Sequence, residues 1–193
     1  MRIRHYNAGW GVTVLAFAAL GRSTVGHAGT VQRFVLAAGA NDGGPGRAQL
    51  RYAISDARHF VTVMENMGGV ESERRFLLEE PTVGQFIDAI RRVKETALTS
   101  RKDDDRIELI LYYSGHADES GLLLGGDRVS YQSLRDQLDA VRADVHIAVL
   151  DACASGAITR IKGGSRQKAF LVDESSQMRG HAFLTSSSED ETV

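Results

Sequence analysis

The chain has one cysteine, Cys153, among 193 residues, so no internal disulfide can staple it. Charge of neither sign predominates: 23 Lys and Arg stand against 25 Asp and Glu, for a formal net charge of -2 and a pI of about 6.3. That balance supplies no electrostatic footprint for nucleic acid or for an anionic membrane surface as partner. There is no apolar run of the ~20 residues that a membrane-spanning helix requires. Apart from His116 the histidines are scattered (His5, His27, His59, His146, His181), and with a single cysteine they show no zinc-ligand spacing. Internal repeats and long low-complexity segments are absent as well. What is present is 42% apolar and 25% charged residues, which excludes a disordered or fibrous chain. The length suits one domain with a sizeable core and is short for two.

The first residues read as an export signal. Arg2 and Arg4 precede the apolar stretch "GVTVLAFAAL" at 11–20, and Gly26-His27-Ala28 puts small residues where a signal peptidase inspects the chain. We expect a signal peptide over 1–28 and an exported domain, periplasmic or secreted, over 29–193, with no stable membrane span after removal. A buried N-terminal helix or an uncleaved anchor are the other readings. In an oxidising compartment Cys153 is then a free thiol, an intermolecular link or a working residue.

From Gln32 onward apolar runs alternate with amphipathic stretches. "RFVLAAG" (33–39) reads as a strand ended by the loop "GANDGGPG". Leu50, Ala53, Ala57, Phe60, Val61, Met64 and Met67 then recur three and four apart, one face of a helix closed by Gly68-Gly69. "RRFLLEE" (74–80) is a second strand; Thr82 and Gln85 form a capping box, followed by the stripe Val83, Phe86, Ile87, Ile90, Val93. "RIELILYYSGH" (106–116) is the strongest strand. "GLLLGGDRVS" (121–130) reads as a hairpin turning on Gly125-Gly126, and a short helix carries Leu134, Leu138 and Val141. "VHIAVLDA" (145–152) and "HAFLTSSSED" (181–190) complete the strands. The alternation predicts an α/β fold with helices on both faces of a mostly parallel sheet. Asp103-Asp104-Asp105 is expected to be a solvated turn, and Tyr112-Tyr113 to be core packing.

In such a sheet functional groups collect past the carboxyl ends of the strands. His116 and Cys153 each follow a buried strand, and if those strands are neighbours, imidazole and thiol emerge side by side as base and nucleophile. Ala152, Ala154, Gly156 and Gly115 leave room for a peptide carbonyl, and the N–H groups of Cys153 and Ala117 are candidates for binding the oxyanion. A cysteine at a strand end can also be inert packing.

"YYSGHA" and "DACASG" resemble the two catalytic motifs of caspase-like cysteine peptidases, in the metacaspase and bacterial branch, whose usual forms are Ser-Gly-His-Gly and Asp-x-Cys-x-Ser-Gly. "LAAGANDG", "LRYAISDARHF" and "GHAFLTSSSEDE" resemble the first strand, first helix and fifth strand of that fold, so the resemblance runs over residues 32–193. It implies a three-layer α/β/α sandwich, a His116–Cys153 dyad and hydrolysis of proteins or peptides. Asp151, where caspases that cut after Asp carry Gln, together with Asp56 and Ser114, matches a pocket for Arg or Lys. Arg160, Lys162, Arg166 and Lys168 in the 157–180 loop would then be sites of self-processing. The sequence departs from the pattern at Ala117, where Gly is usual, and at Ala53, which replaces a pocket cysteine. Residues 116 and 153 are also closer than the ~50 usual for caspases. Related domains continue with a further helix and strand, so the expected fold lacks its last elements. Calcium activates some metacaspases, but the acidic residues outline no site, and no cofactor is expected. An inactive caspase-like binding or regulatory module is the alternative function. Nothing in the pattern speaks to oligomeric state.

Overall fold

The computed structural model describes residues 29–152 and 180–186. Its centre is a five-stranded parallel sheet, built from β1 (Val31–Gly39), β2 (Arg75–Glu79), β3 (Arg106–Ser114), β7 (Val145–Asp151) and β8 (Gly180–Thr185) in the order β2-β1-β3-β7-β8. The near-continuous apolar character of β1 and β3 is what burial on both faces requires: Phe34 to Ala38 have no exposed surface at all.

Alternation along the strands sorts side chains into two layers. Val35, Ala37 and Tyr112 face helix α1 (Ala53–Asn66), meeting Ala57 and Val61, with Phe60, Met64 and Val149 at the margin. Phe34, Leu36, Leu109, Leu111, Tyr113, Ala148 and Leu150 face the other way. They pack on Phe86, Ala89, Ile90, Val93 and Ala97 of α2 (Val83–Ser100) and on Leu134 and Leu138 of α3 (Tyr131–Asp139). The result is the three-layer α/β/α arrangement that the alternation of elements implied. Among the described residues no helix is long and apolar enough to cross a membrane.

The capping box at α2 forms as expected: the Gln85 N–H donates to Thr82 Oγ1 at 3.2 Å and the Thr82 N–H to Gln85 Oε1 at 2.9 Å. The hairpin forms too, as β5 (Gly121–Leu124) and β6 (Asp127–Ser130), with Gly125 and Gly126 at φ +59° and +96° in the turn. It gains a strand the sequence did not announce, β4 (His116–Asp118), which pairs antiparallel with β5 in a second, three-stranded sheet.

Two expectations need correction. α1 starts at Ala53, so Leu50 lies in the preceding loop, and Met67 is 84% exposed rather than part of the stripe. Asp103 and Asp104 are exposed, but Asp105 turns inward. Its carboxylate accepts from the N–H groups of Thr30 and Lys102 and from Gln32 Nε2, tying the starts of β1 and β3 together. A backbone-anchoring aspartate of this kind looks like any polar turn residue in the sequence, because two of its three partners are 75 and 73 positions away. Tyr113 is core packing, as expected, and has a polar task besides, described below.

Candidate active site

The chain leaves β1 toward β2 on one side and returns to β3 on the other, so the carboxyl ends of β1 and β3 form the switch point where open α/β sheets bind ligands. The strand ends are stitched together there. The Ala40 N–H donates to the Ser114 carbonyl at 3.0 Å, and the Gly115 N–H to the Asp151 carbonyl at 3.3 Å. β3 and β7 are hydrogen-bonded neighbours, with Ser114 beside Asp151. The side-by-side emergence expected of the two strands is therefore present, with Gly115-His116 on one and Ala152 on the other.

His116 opens β4 and is half-buried. Its Nε2 lies 2.8 Å from the carbonyl oxygen of Ala48. A carbonyl can only accept, so Nε2 carries the proton and Nδ1 is the basic nitrogen of the neutral ring. The ring packs on the backbone of Gly43: a Cβ there would stand 2.6 Å from His116 Cγ, far inside contact distance. Two residues along β4, the Asp118 carboxylate accepts from the N–H groups of Ser120 and Gly121 at 2.8 and 3.1 Å and from Arg128, with Arg47 at 3.9 Å. Burial pushes the Asp118 carboxyl up, but Arg128 and the two backbone donors outweigh it and hold the group below its usual value. Asp118 thus answers to its arginines, while a backbone carbonyl orients the imidazole.

Ala48 belongs to the loop 41–50, which folds back on itself through the Leu50 N–H to the Asn41 carbonyl at 2.9 Å. The Gly125 N–H donates to the Asp42 carbonyl at 3.2 Å, and Gly44 at φ +89° lies so close to Gly126 that a Cβ on it would stand 2.2 Å from the Gly126 Cα. Glu80 supports the loop from below: its Oε1 accepts the Asn41 N–H at 2.9 Å and Oε2 the Asp42 N–H at 3.4 Å. Glu80 itself sits at φ +46°, a left-handed conformation that costs a non-glycine residue about 1–3 kcal/mol.

The other three side chains picked out by the sequence share a second face of the same edge. Tyr112 faces α1, and by the period of two Ser114 follows it on β3, as Asp151 follows Val149 on β7. Asp56 is in the first turn of α1, one turn before Phe60, which stacks on Tyr112 with ring centroids 4.3 Å apart. The Tyr112 phenol registers all of them. Burial pushes it up first, then the charge of Asp151; Ser114 pulls it down, and Asp56 adds to the rise. Ser114 is buried, Asp56 partly so and Asp151 exposed.

Cys153 follows Ala152 directly in the chain but lies outside the described residues, as do the 1–28 segment and the basic residues Arg160, Lys162, Arg166 and Lys168. Ala117, the other oxyanion candidate, stands in β4 opposite Leu122. His59 is exposed on α1. Among the described residues no three His, Cys, Asp or Glu side chains converge as a metal site would need. Sequence reasoning missed Ala48, Gly43, Glu80 and the polar end of Tyr113. A carbonyl that orients a ring has no side-chain signature, and the glycine-rich loop signalled only a turn.

The described residues thus form a parallel α/β sheet with a tethered imidazole at its carboxyl edge, on the segment following the strand beside the one that leads to the sequence's single cysteine. The comparison with known families gives the assignment: the caspase domain matches residues 32–193. The chain belongs to the caspase-domain family of peptidases. No curated protein matches it. Among solved structures it is similar to one described as "structure of pro-sf-caspase-1", at 13% identity and a TM-score of 0.47, over 84% of this chain and 61% of that one.

Proposed function

We propose that the protein is a cysteine endopeptidase in which His116 is the general base and Cys153 the nucleophile, cleaving after Arg or Lys. The observation that carries the dyad is the hydrogen bond from His116 Nε2–H to the Ala48 carbonyl, which leaves Nδ1 without a partner among the described residues, near the edge where β3 and β7 end side by side. In the reaction Nδ1 takes the thiol proton, and the thiolate attacks the scissile carbonyl carbon. Charge moves to the carbonyl oxygen, where the N–H groups of Cys153 and Ala117 would receive it. The imidazolium then gives its proton to the departing amine. Water, deprotonated by the same nitrogen, hydrolyses the thioester and restores both groups.

Preference for a basic side chain is supported by Asp56, Ser114 and Asp151 gathering about the Tyr112 hydroxyl. Two carboxylates and a hydroxyl suit a guanidinium or ammonium, and would repel an acidic side chain. Arg160, Lys162, Arg166 and Lys168 lie between the nucleophile and β8 and are the proposed self-processing sites. The start of the chain supports export.

The test is release of a fluorophore from Arg-, Lys- and Asp-terminated peptides, with and without calcium. We expect release from the first two, abolished by Cys153→Ala and by thiol alkylation, and a fall of at least a hundredfold in His116→Ala. Intact masses should show cleavage in the 157–180 segment that Cys153→Ala lacks. Hydrolysis that survives Cys153→Ala, or no hydrolysis at any calcium concentration, would overturn the reading.

A further inference from the structure

We propose that Tyr113 is a positioning residue for the His116 imidazole, holding the backbone of that residue with its phenol; the proposal rests on the peptidase reading above. Tyr113 has no exposed surface and its ring lies in the layer under α2 and α3. For packing alone Phe would serve, and a buried hydroxyl must find a partner. This one finds two. The Tyr113 O–H reaches the carbonyl of His116 at 2.8 Å and that of Leu123 at 2.7 Å, one proton shared between them. His116 and Leu123 are directly opposite each other in β4 and β5. One hydroxyl therefore pins the first residue of β4, and its cross-strand partner, to the core of β3.

Gly115, just before His116, lacks a side chain for the same reason. A Cβ on Gly115 would stand 2.6 Å from Tyr113 Cζ, so the phenol can pass beneath the turn only where the side chain is absent. Burial drives the phenol well above its ordinary value, with the Leu123 carbonyl pulling the other way. The proton remains available for donation throughout the working range of a peptidase. His116 then has two restraints of different kinds: its carbonyl is held from the rigid sheet, and its ring from the exposed loop at Ala48. Losing the first leaves the aim of Nδ1 to the second.

The experiment compares Tyr113→Phe with Ile90→Val, a mild core change in α2 remote from the site. For Tyr113→Phe we expect kcat to fall about tenfold to a hundredfold, with KM within about twofold. The pH midpoint for alkylation of Cys153 should rise toward the ~8.5 of a free thiol as the imidazole loses its place. Nitrogen-15 spectra of His116, protonated at Nε2 in the wild type, should show mixed tautomers. Ile90→Val should lower the melting temperature and leave all three unchanged. If Tyr113→Phe behaves like Ile90→Val, with a lower melting temperature and unaltered kcat, alkylation profile and tautomer, the proposal is wrong. If the wild type cleaves no peptide, the peptidase reading fails and the tautomer comparison alone decides the clamp.

Discussion

Gly43 is the residue where shape decides function with least help from chemistry. It has no side chain to bind or react, yet any Cβ would push into the His116 ring or the Arg47 stem. Because the loop around it is held at Asn41, Asp42 and Leu50, the ring must give way rather than the backbone. Gly43→Ala is expected to lower kcat/KM at least tenfold with a change in melting temperature of no more than a few degrees, read by peptide hydrolysis beside thermal unfolding. Asp105 behaves in the opposite sense, as a residue that acts on the fold alone. The Lys102 N–H, then Gln32 and the Thr30 N–H, hold its carboxyl below the ordinary value against the pull of burial. A depressed carboxyl stabilises the fold above the unfolded-state value near ~3.9 and loses that effect as pH falls through the folded value. Asp105→Asn should therefore lower stability at neutral pH and flatten the acid limb of the stability curve, measured by denaturant titration.

Among the elements, α2 and β8 differ in how they are secured. α2 carries a complete capping box and five buried positions. Thr82→Ala should cost about 1 kcal/mol, checked by urea unfolding, because it strands the Gln85 N–H and frees the Gln85 side chain. β8 is an edge strand paired only with β7 among the described residues, and its hold includes an unusual contact. His146 of β7 and His181 of β8 stack with centroids 4.4 Å apart and planes 1° from parallel. His146 is buried, and neither ring nitrogen has a well-aligned partner among the described residues. Burial, then the neighbouring His181, push its imidazole down to about 4, with Asp139, the Leu138 backbone and Asp144 drawing weakly upward. His181 meanwhile contacts Asp139 at 2.8 Å. The folded state refuses a proton that the unfolded chain accepts near ~6.5, so stability is full above that pH and declines as pH falls toward about 4. Melting temperature should drop by several degrees across that window, and His146→Phe should remove most of the slope.

For the molecule as a whole, the two faces of the sheet divide the labour. The α2/α3 side contains the larger apolar cluster, including Phe86 with no exposed surface. Phe86→Ala should cost about 3–5 kcal/mol in chemical denaturation, since a packed layer on a rigid sheet cannot collapse into the void. The α1 side gathers Asp56, Ser114 and Asp151 around Tyr112. Acidic groups are thus assembled on the face opposite the main core. Replacing Asp151 by Asn should weaken hydrolysis of Arg and Lys peptides by tenfold or more, mainly through KM.

Most of the sheet was legible in the chain because each central strand is a run of apolar residues bounded by turn residues, and each helix repeats its apolar positions every three or four. The neighbouring of the strands before His116 and Cys153 followed from their succession in an alternating α/β pattern. β4 was not legible, since three residues with no apolar alternation are indistinguishable from loop. Asp105 was misjudged because a carboxylate buried by distant partners looks locally like a turn residue, and the hydroxyl contacts of Tyr113 leave no mark on a residue that reads as core packing.

The sequence by itself determined which segments become strands and helices, the order of the two motifs, and the chemical types available at the sheet edge, because those depend on periodicity and on residues close in the chain. Only the tertiary structure decided that Ala48 orients the imidazole, that Gly43 makes room for it, that a phenol from the core secures its backbone, and that three polar side chains meet around Tyr112. Those relations are contacts of backbone and side chains, most of them between residues far apart in the chain. Their geometry exists only once the sheet has brought its strand ends together.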